Sequence, residues 1–270
     1  MIFSLRPGVF IVTSATLAVA VSAGITPAAT SKIESYKPST PACLIEAYSE
    51  YVDREETSAE GTVIVMKDGS RLVFDDGRQK TVEEMLKNPD LEDQLALRYP
   101  KGPVQIPAPP EFDPGRVRVT EFFKSVYGRT AKEVEASLVF VDWPSMHKTK
   151  RIRFSPNAGA AQALSRTAES LRKLDGVSLR VAEAVGGTFN HRAIEGTDRL
   201  SAHSFGIAID VDVKHSAYWR WSKTFPNFNN NIPEAVVDIF EQNKFIWGGK
   251  WYHFDTMHFE YRPELFCDQQ

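Results

Sequence analysis

The chain has 270 residues, 42% of them hydrophobic and 25% charged, the balance of an ordinary globular protein and not of a disordered one. Its formal net charge of −3 and pI near 6.1 offer no basic surface able to release counterions from a phosphate backbone, so nucleic acid is not an expected partner.

Arg6, an apolar stretch from Val9 to Val21, and the small residues of Val21-Ser22-Ala23 before Gly24 follow the order of a secretory signal peptide. Thr13, Ser14 and Thr16 interrupt the run, which falls short of the roughly 20 strongly apolar residues of a membrane anchor. Residues 1–23 are therefore expected to be removed on export to the periplasm or the medium, and no later segment reads as a membrane span. Residues 24–42, rich in Thr, Ser, Pro and Ala, read as a flexible tail. The two cysteines, Cys43 and Cys267, lie near opposite ends of the mature chain. Export places them where disulfides persist, so they are expected to pair, and their separation is unlike that of a zinc finger.

Ordered structure is expected from about Cys43. Thr62–Met66 and Arg71–Phe74 flank Lys67-Asp68-Gly69-Ser70, a hairpin signal. The five prolines between Lys101 and Gly115 suit neither helices nor central strands, so this stretch reads as a rigid surface connector and as the internal boundary. It divides an N-terminal extension of unknown role (43–115) from a C-terminal domain (116–270). Arg118–Tyr127 and Ala158–Leu174 have helical spacing, Ser137–Val141 and Val177–Val185 read as strands, and Pro233–Asn243 reads as a helix opened by proline. Residues 44–150 carry no motif that can be attached to chemistry, and there is no internal repeat.

Five of the six histidines fall between His191 and His258, together with Asp198, Asp210, Asp212, Asp255 and Glu260. In Ser201-Ala202-His203-Ser204-Phe205-Gly206-Ile207-Ala208-Ile209-Asp210, a polar turn leads through glycine into an apolar strand broken by an acid. A carboxylate buried there needs a cation or a set of donors. His203 and Asp210 have opposite strand parity, and a bend at Gly206 removes that conflict. In the second segment, Trp247 to Glu260, Asp255 and His258 stand three apart, a spacing that meets on a turn and not on a straight strand. Such a turn can set an imidazole on a metal and a carboxylate against an attacking water. Three mixed nitrogen and oxygen ligands with one position left open suit a catalytic zinc site, and the shortage of cysteine argues against a closed structural one.

The elements Ser201-x-His203-x-x-Gly206-x-Ala208-x-Asp210 and Trp247-Gly248-Gly249-x-Trp251-x-x-x-Asp255-x-x-His258-Phe259-Glu260 resemble the two signature segments of the zinc D-alanyl-D-alanine carboxypeptidase family. That family includes D-Ala-D-Ala dipeptidases and L-alanyl-D-glutamate endopeptidases. The resemblance covers residues 180–265. It implies an α+β fold, a small antiparallel sheet with flanking helices, and one zinc ion per chain held by His203, Asp210 and His258. It implies Asp255 as the catalytic base and an arginine steadying the substrate carbonyl, for which Arg192 is the candidate. It also implies peptidase action on peptidoglycan or muropeptides.

Other readings stand beside these. His191, His215 and His253 read as ordinary hydrogen-bonding residues, Asp212 as a rival ligand or a partner of a histidine, Glu260 as a support for His258 or a solvated strand residue, and Trp219 and Trp221 as groove-lining or packing residues. The rival to an enzyme is a non-catalytic wall-binding or signalling module stabilised by zinc. A zinc hydrolase of a non-peptide amide is a third reading.

Overall fold

A computed structural model of the chain describes Met1 and residues 40–267 other than 60, 147–149, 224, 226–227 and 229. The expected signal peptide and most of the expected tail lie outside the described residues. No described helix is long and apolar enough to cross a membrane.

Helix α1 (Pro41–Ala47) begins with proline, whose missing N–H has no helical partner at that position. It buries Leu44 and delivers Tyr48 into the core. Strands β1 (Val52–Ser58), β2 (Gly61–Met66) and β3 (Arg71–Asp75) form an antiparallel meander. The expected hairpin is its β2–β3 half. Gly69 turns the corner at φ +86°, and the Asp68 carboxylate accepts from the Ser70 amide at 2.8 Å. Two short helices follow, α2 (Val82–Lys87) and α3 (Leu91–Leu95). Each opens with a reciprocal capping box, Thr81 with Glu84 and Asp90 with Asp93.

Residues 101–115 contain neither helix nor strand. The connector nevertheless does not separate two cores: one hydrophobic cluster runs from Leu44 to Phe266 and draws side chains from both sides of it. Ser35–Gln270 is one compact unit. The connector is strapped to the segment after Trp247. Pro114 O accepts from Trp251 Nε1 at 2.7 Å, Phe112 O from the Tyr252 amide at 2.9 Å, and Pro100 O from Lys250 Nζ at 2.8 Å.

Beyond it come α4 (Thr120–Tyr127), α5 (Ala131–Ser137), the hairpin β4 (Val139–Trp143) with β5 (Lys150–Phe154), and α6 (Ala160–Leu171). The stretch expected as a strand over Val177–Val185 is mostly helix, α7 (Gly176–Glu183). The Asp175 carboxylate accepts from the amides of Val177 and Ser178 and caps that helix. Ser178 and Ala182, four apart, are its buried positions, whereas Val177 is exposed. The apolar alternation was that of a helix presenting small residues to the core. Only β6 (Val185–Gly187) is strand there.

The last third builds an antiparallel sheet in the order β6-β7-β9-β8 from β7 (Ala208–Val211), β8 (Phe245–Trp247) and β9 (His258–Tyr261). Helix α8 (Glu234–Gln242) packs on it, with Phe240 stacked on Phe259 at 4.0 Å between centroids. Pro233 stands just outside α8 as its cap residue. The architecture is α+β: small antiparallel sheets with helices packed against them.

Cys43 and Cys267 form a disulfide across 224 positions, Cα to Cα 5.3 Å, tying α1 to the 3₁₀ turn Pro263–Phe266. A loop of that length gives a stabilisation of about 5 kcal/mol in the chain-entropy model. The Cys43→Ala/Cys267→Ala double variant should therefore unfold at a clearly lower urea concentration than the oxidised protein. An unchanged midpoint would mean that packing alone holds the two ends together.

Candidate metal centre

Two local devices assemble the site. Ser201 opens the 3₁₀ turn Ala202–Phe205 by accepting from the His203 amide, and Gly206 closes it at φ +66°. A Cβ at Gly206 would come within 2.6 Å of Leu138 Cδ2, so the turn needs glycine for both conformation and space. His203 thus sits on a turn and Asp210 on β7, and strand parity does not constrain the pair.

The second device is the turn that ends β8. Gly248 approaches the Asp255 carbonyl so closely that a Cβ would lie 2.6 Å from it, and its own carbonyl accepts from the Asp255 amide at 2.9 Å. The Trp247 indole donates to Thr256 O at 2.8 Å, and the His258 amide to Asp255 O at 3.2 Å. The chain therefore reverses tightly between Asp255 and His258, as their spacing requires. His258 then pairs directly with Asp210 across β9 and β7.

His203, Asp210 and His258 offer ligand atoms that all lie within 4.8 Å of one another. Asp210 Oδ1 is 3.1 Å from His203 Nε2 and 3.1 Å from His258 Nδ1. The outward nitrogens are held from behind: His203 Nδ1 lies 2.7 Å from Thr188 O, and His258 Nε2 lies 3.0 Å from Glu260 Oε2. An acceptor behind each ring keeps the proton on that side and leaves the inner nitrogen free for a metal. The donor set, two imidazoles and one carboxylate converging on one point, fits zinc with a position to spare.

Asp255 is different in kind. One of its oxygens, Oδ1, is buried with no hydrogen-bond partner among the described residues. Burial raises its carboxyl to about 6, against the opposing charge of His258. Asp210 also feels burial, yet the facing His203 and His258 hold it well below the usual carboxylate range. Two acids that feel the charges of the same two histidines are thus pushed apart, one toward permanent ionisation and one toward proton exchange near neutrality.

Residues 195–261 match the family model described as D-alanyl-D-alanine carboxypeptidase. This segment of the chain is similar to that family. No curated protein and no solved structure matches the chain.

The structure does not bring Arg192 to the cluster through its side chain. Its guanidinium is exposed and reaches the Ala193 carbonyl at 3.4 Å. Its backbone serves the site instead, donating to Ser204 Oγ at 3.0 Å and accepting from the Ser201 amide at 3.0 Å. Asp212 accepts from His215 at 2.8 Å, and His253 meets Asp113 at 2.6 Å, so both histidines are ordinary partners of acids. Trp219 is half-buried, but Trp221 is 61% exposed, so packing does not account for it.

Glu260 is fully buried and meets Arg118 Nη1 at 3.0 Å and Arg262 Nη1 at 2.8 Å as well as His258. Sequence reasoning passed over Arg118, whose partner lies 142 positions away, and over Arg262, which stands two residues from Glu260 just beyond the second motif. Removing Glu260 leaves two buried guanidinia short of a counter-charge, so Glu260→Ala should cost about 3–5 kcal/mol of stability. Denaturant unfolding in chelator, where no metal contributes, would show it; a loss under 1 kcal/mol would mean that water replaces the carboxylate.

Proposed function

We propose that the protein is an exported zinc metallopeptidase that hydrolyses peptide bonds in peptidoglycan stem peptides, with His203, Asp210 and His258 holding one zinc ion and Asp255 as the base. The observation that supports it best is the pairing of a three-ligand cluster with a separate buried carboxyl, Asp255, that is not part of the cluster. A structural zinc site needs no such extra acid. Export rests on the order of residues 1–23, and substrate class on the family of the matched segment.

Zinc bound at the cluster would polarise the scissile carbonyl and make the attacking water more acidic. The chain's own residues supply the rest. Thr188 O and Glu260 fix the two imidazoles so that their inner nitrogens face the metal position. Asp255, raised by burial to about 6, is ionised at neutral pH and still basic enough to take the proton of the water and pass it to the leaving amine.

Ligand and base separate experimentally. His203→Ala should lose zinc and peptidase activity together. Asp255→Asn should keep the fold and the zinc while turnover on defined muropeptides falls by about 10²- to 10⁴-fold. Mass spectrometry of the products and metal analysis of each variant measure both effects. Zinc leaving with Asp255→Asn would make Asp255 a ligand and favour the non-catalytic module; full activity in that variant would place the base elsewhere.

A further inference from the structure

Among the described glycines, Gly187 alone has neither a left-handed backbone nor an atom within 4 Å of the place a Cβ would take. A Cβ at Gly186 would strike Val213 Cγ2 at 2.2 Å, and one at Gly248 the Asp255 carbonyl at 2.6 Å. Glycine in a strand costs stability through backbone entropy, and at Gly187 neither conformation nor packing within the chain repays it. Close approach by a ligand or another backbone is the remaining reason for glycine there.

Gly187 ends β6, the edge strand of the four-stranded sheet. Beyond the pairing with β7, the backbone of Val185–Gly187 makes no hydrogen bond among the described residues, so a row of donors and acceptors stands open. That edge borders a groove of about 530 Å³ whose opposite wall is residues 151–153 of β5. Two bonds fix the walls relative to each other: Lys150 Nζ donates to Glu183 O at 3.1 Å, and the Ser155 amide to Gly206 O at 2.9 Å.

The same edge leads into the candidate metal centre. The register slips between Val185 and Gly187, so Gly186 and Gly187 both lie across from Asp210. Register partners share a face of the sheet, which puts the open space over Gly187 on the side that carries Asp210. The next residue, Thr188, holds His203 Nδ1 at 2.7 Å through its carbonyl. A chain lying along the edge of β6 must cross over β6 to reach Asp210. Val213 fills the space over Gly186, and Gly187 leaves the crossing clear.

We propose that the substrate's peptide chain docks in extended form on the open edge of β6, as an added strand, and passes over Gly187 to the centre. The proposal rests on the peptidase reading and says how its substrate is held. Strand addition recognises a peptide through its main chain, with the added strand about 4.8 Å from the edge. On the far wall the guanidinium carbon of Arg151 lies 4.7 Å from the Phe140 ring centre, and Arg153 meets Glu135 at 3.0 Å. That basic wall favours an acidic peptide over a basic one.

The probes are a stem pentapeptide containing both an L-Ala-D-Glu and a D-Ala-D-Ala bond, and a series in which one amide at a time is N-methylated. N-methylation removes a main-chain donor and leaves the side chains in place. On the zinc-loaded protein, Gly187→Val should lower kcat/KM on the parent peptide about 10- to 100-fold, chiefly through KM, and Gly187→Ala by less. Because the space over Gly187 is empty, both variants should keep their zinc and the wild-type urea midpoint. With the wild-type protein one N-methylated peptide should show a comparable rise in KM, and that change combined with Gly187→Val should cost little more than either alone. An unchanged KM in Gly187→Val, or N-methylation without effect at every amide, overturns the docking edge and leaves the peptidase reading standing.

Calorimetric titration of the zinc-free protein with the same peptides is independent of turnover. Binding of the parent peptide that is lost both in Gly187→Val and on N-methylation supports the docking edge even if nothing is cleaved, in which case only the peptidase reading fails. Binding indifferent to both changes overturns the docking edge, and neither binding nor cleavage overturns both readings. The N-methylated series is measured on the wild-type protein, so the result stands if Gly187→Val does not fold.

Discussion

A carboxylate with no exposure to water, Glu260, joins the candidate metal centre to the rest of the molecule. Desolvation alone would push such a group toward its neutral form, but Arg118 and His258 hold it well below the usual range. The charge is tolerated only because several partners converge on it. One of them is the imidazole of His258, so the requirement to satisfy a buried acid also sets the ring of a proposed zinc ligand. A second partner, Arg262, is fully buried and meets Glu264 at 2.5 Å. Glu264 in turn accepts from Tyr48 at 2.8 Å and from Gln94 at 3.4 Å. The chain of contacts thus runs from the centre to the residue after α1 and to α3, and the disulfide fastens the same corner. The N-terminal extension, which has no chemical motif of its own, is part of what orients His258.

What could be read from the sequence follows the reach of each interaction. The glycines at 206 and 248–249, the turn between Asp255 and His258, the β2–β3 hairpin and the helix after Pro233 are local patterns, and local patterns survive in one dimension. The capping boxes Thr81/Glu84 and Asp90/Asp93 are local too but went unread, because such short helices with few buried residues give a weak period. Val177–Val185 misled because alternating Val, Leu and Val looked like a strand, while the decisive signals were the cap at Asp175 and the small buried pair Ser178 and Ala182. The Glu260 network could not be read: Tyr48 and Glu264 are 216 positions apart, and Arg118 and Glu260 are 142 apart. Arg192 fell beside the right motif, but contact with the cluster depends on which way the side chain leaves the hairpin, and spacing does not encode that.

The Pro-rich connector shows how a segment without regular structure can still define a site. Prolines leave few amides to satisfy and fix the backbone dihedrals, so the connector presents its carbonyls in set directions at little further entropic cost. Those carbonyls receive the Trp251 indole, the Tyr252 amide and the Lys250 ammonium. Lys250 also pairs with Glu241 on α8, which meets the Tyr99 hydroxyl, so the clamp is anchored in the core on its far side. Asp113 adds two bonds to His253, at 2.9 Å from its amide and 2.6 Å from its ring. Every residue from Lys250 to His253 is thereby held just before Asp255. A proposed base with an unsatisfied buried oxygen is a local destabilisation, and it persists only where the surrounding backbone is overdetermined. The family-matched segment carries the proposed ligands and the acid, and residues 100–114 supply the constraint that keeps the acid in its unfavourable place.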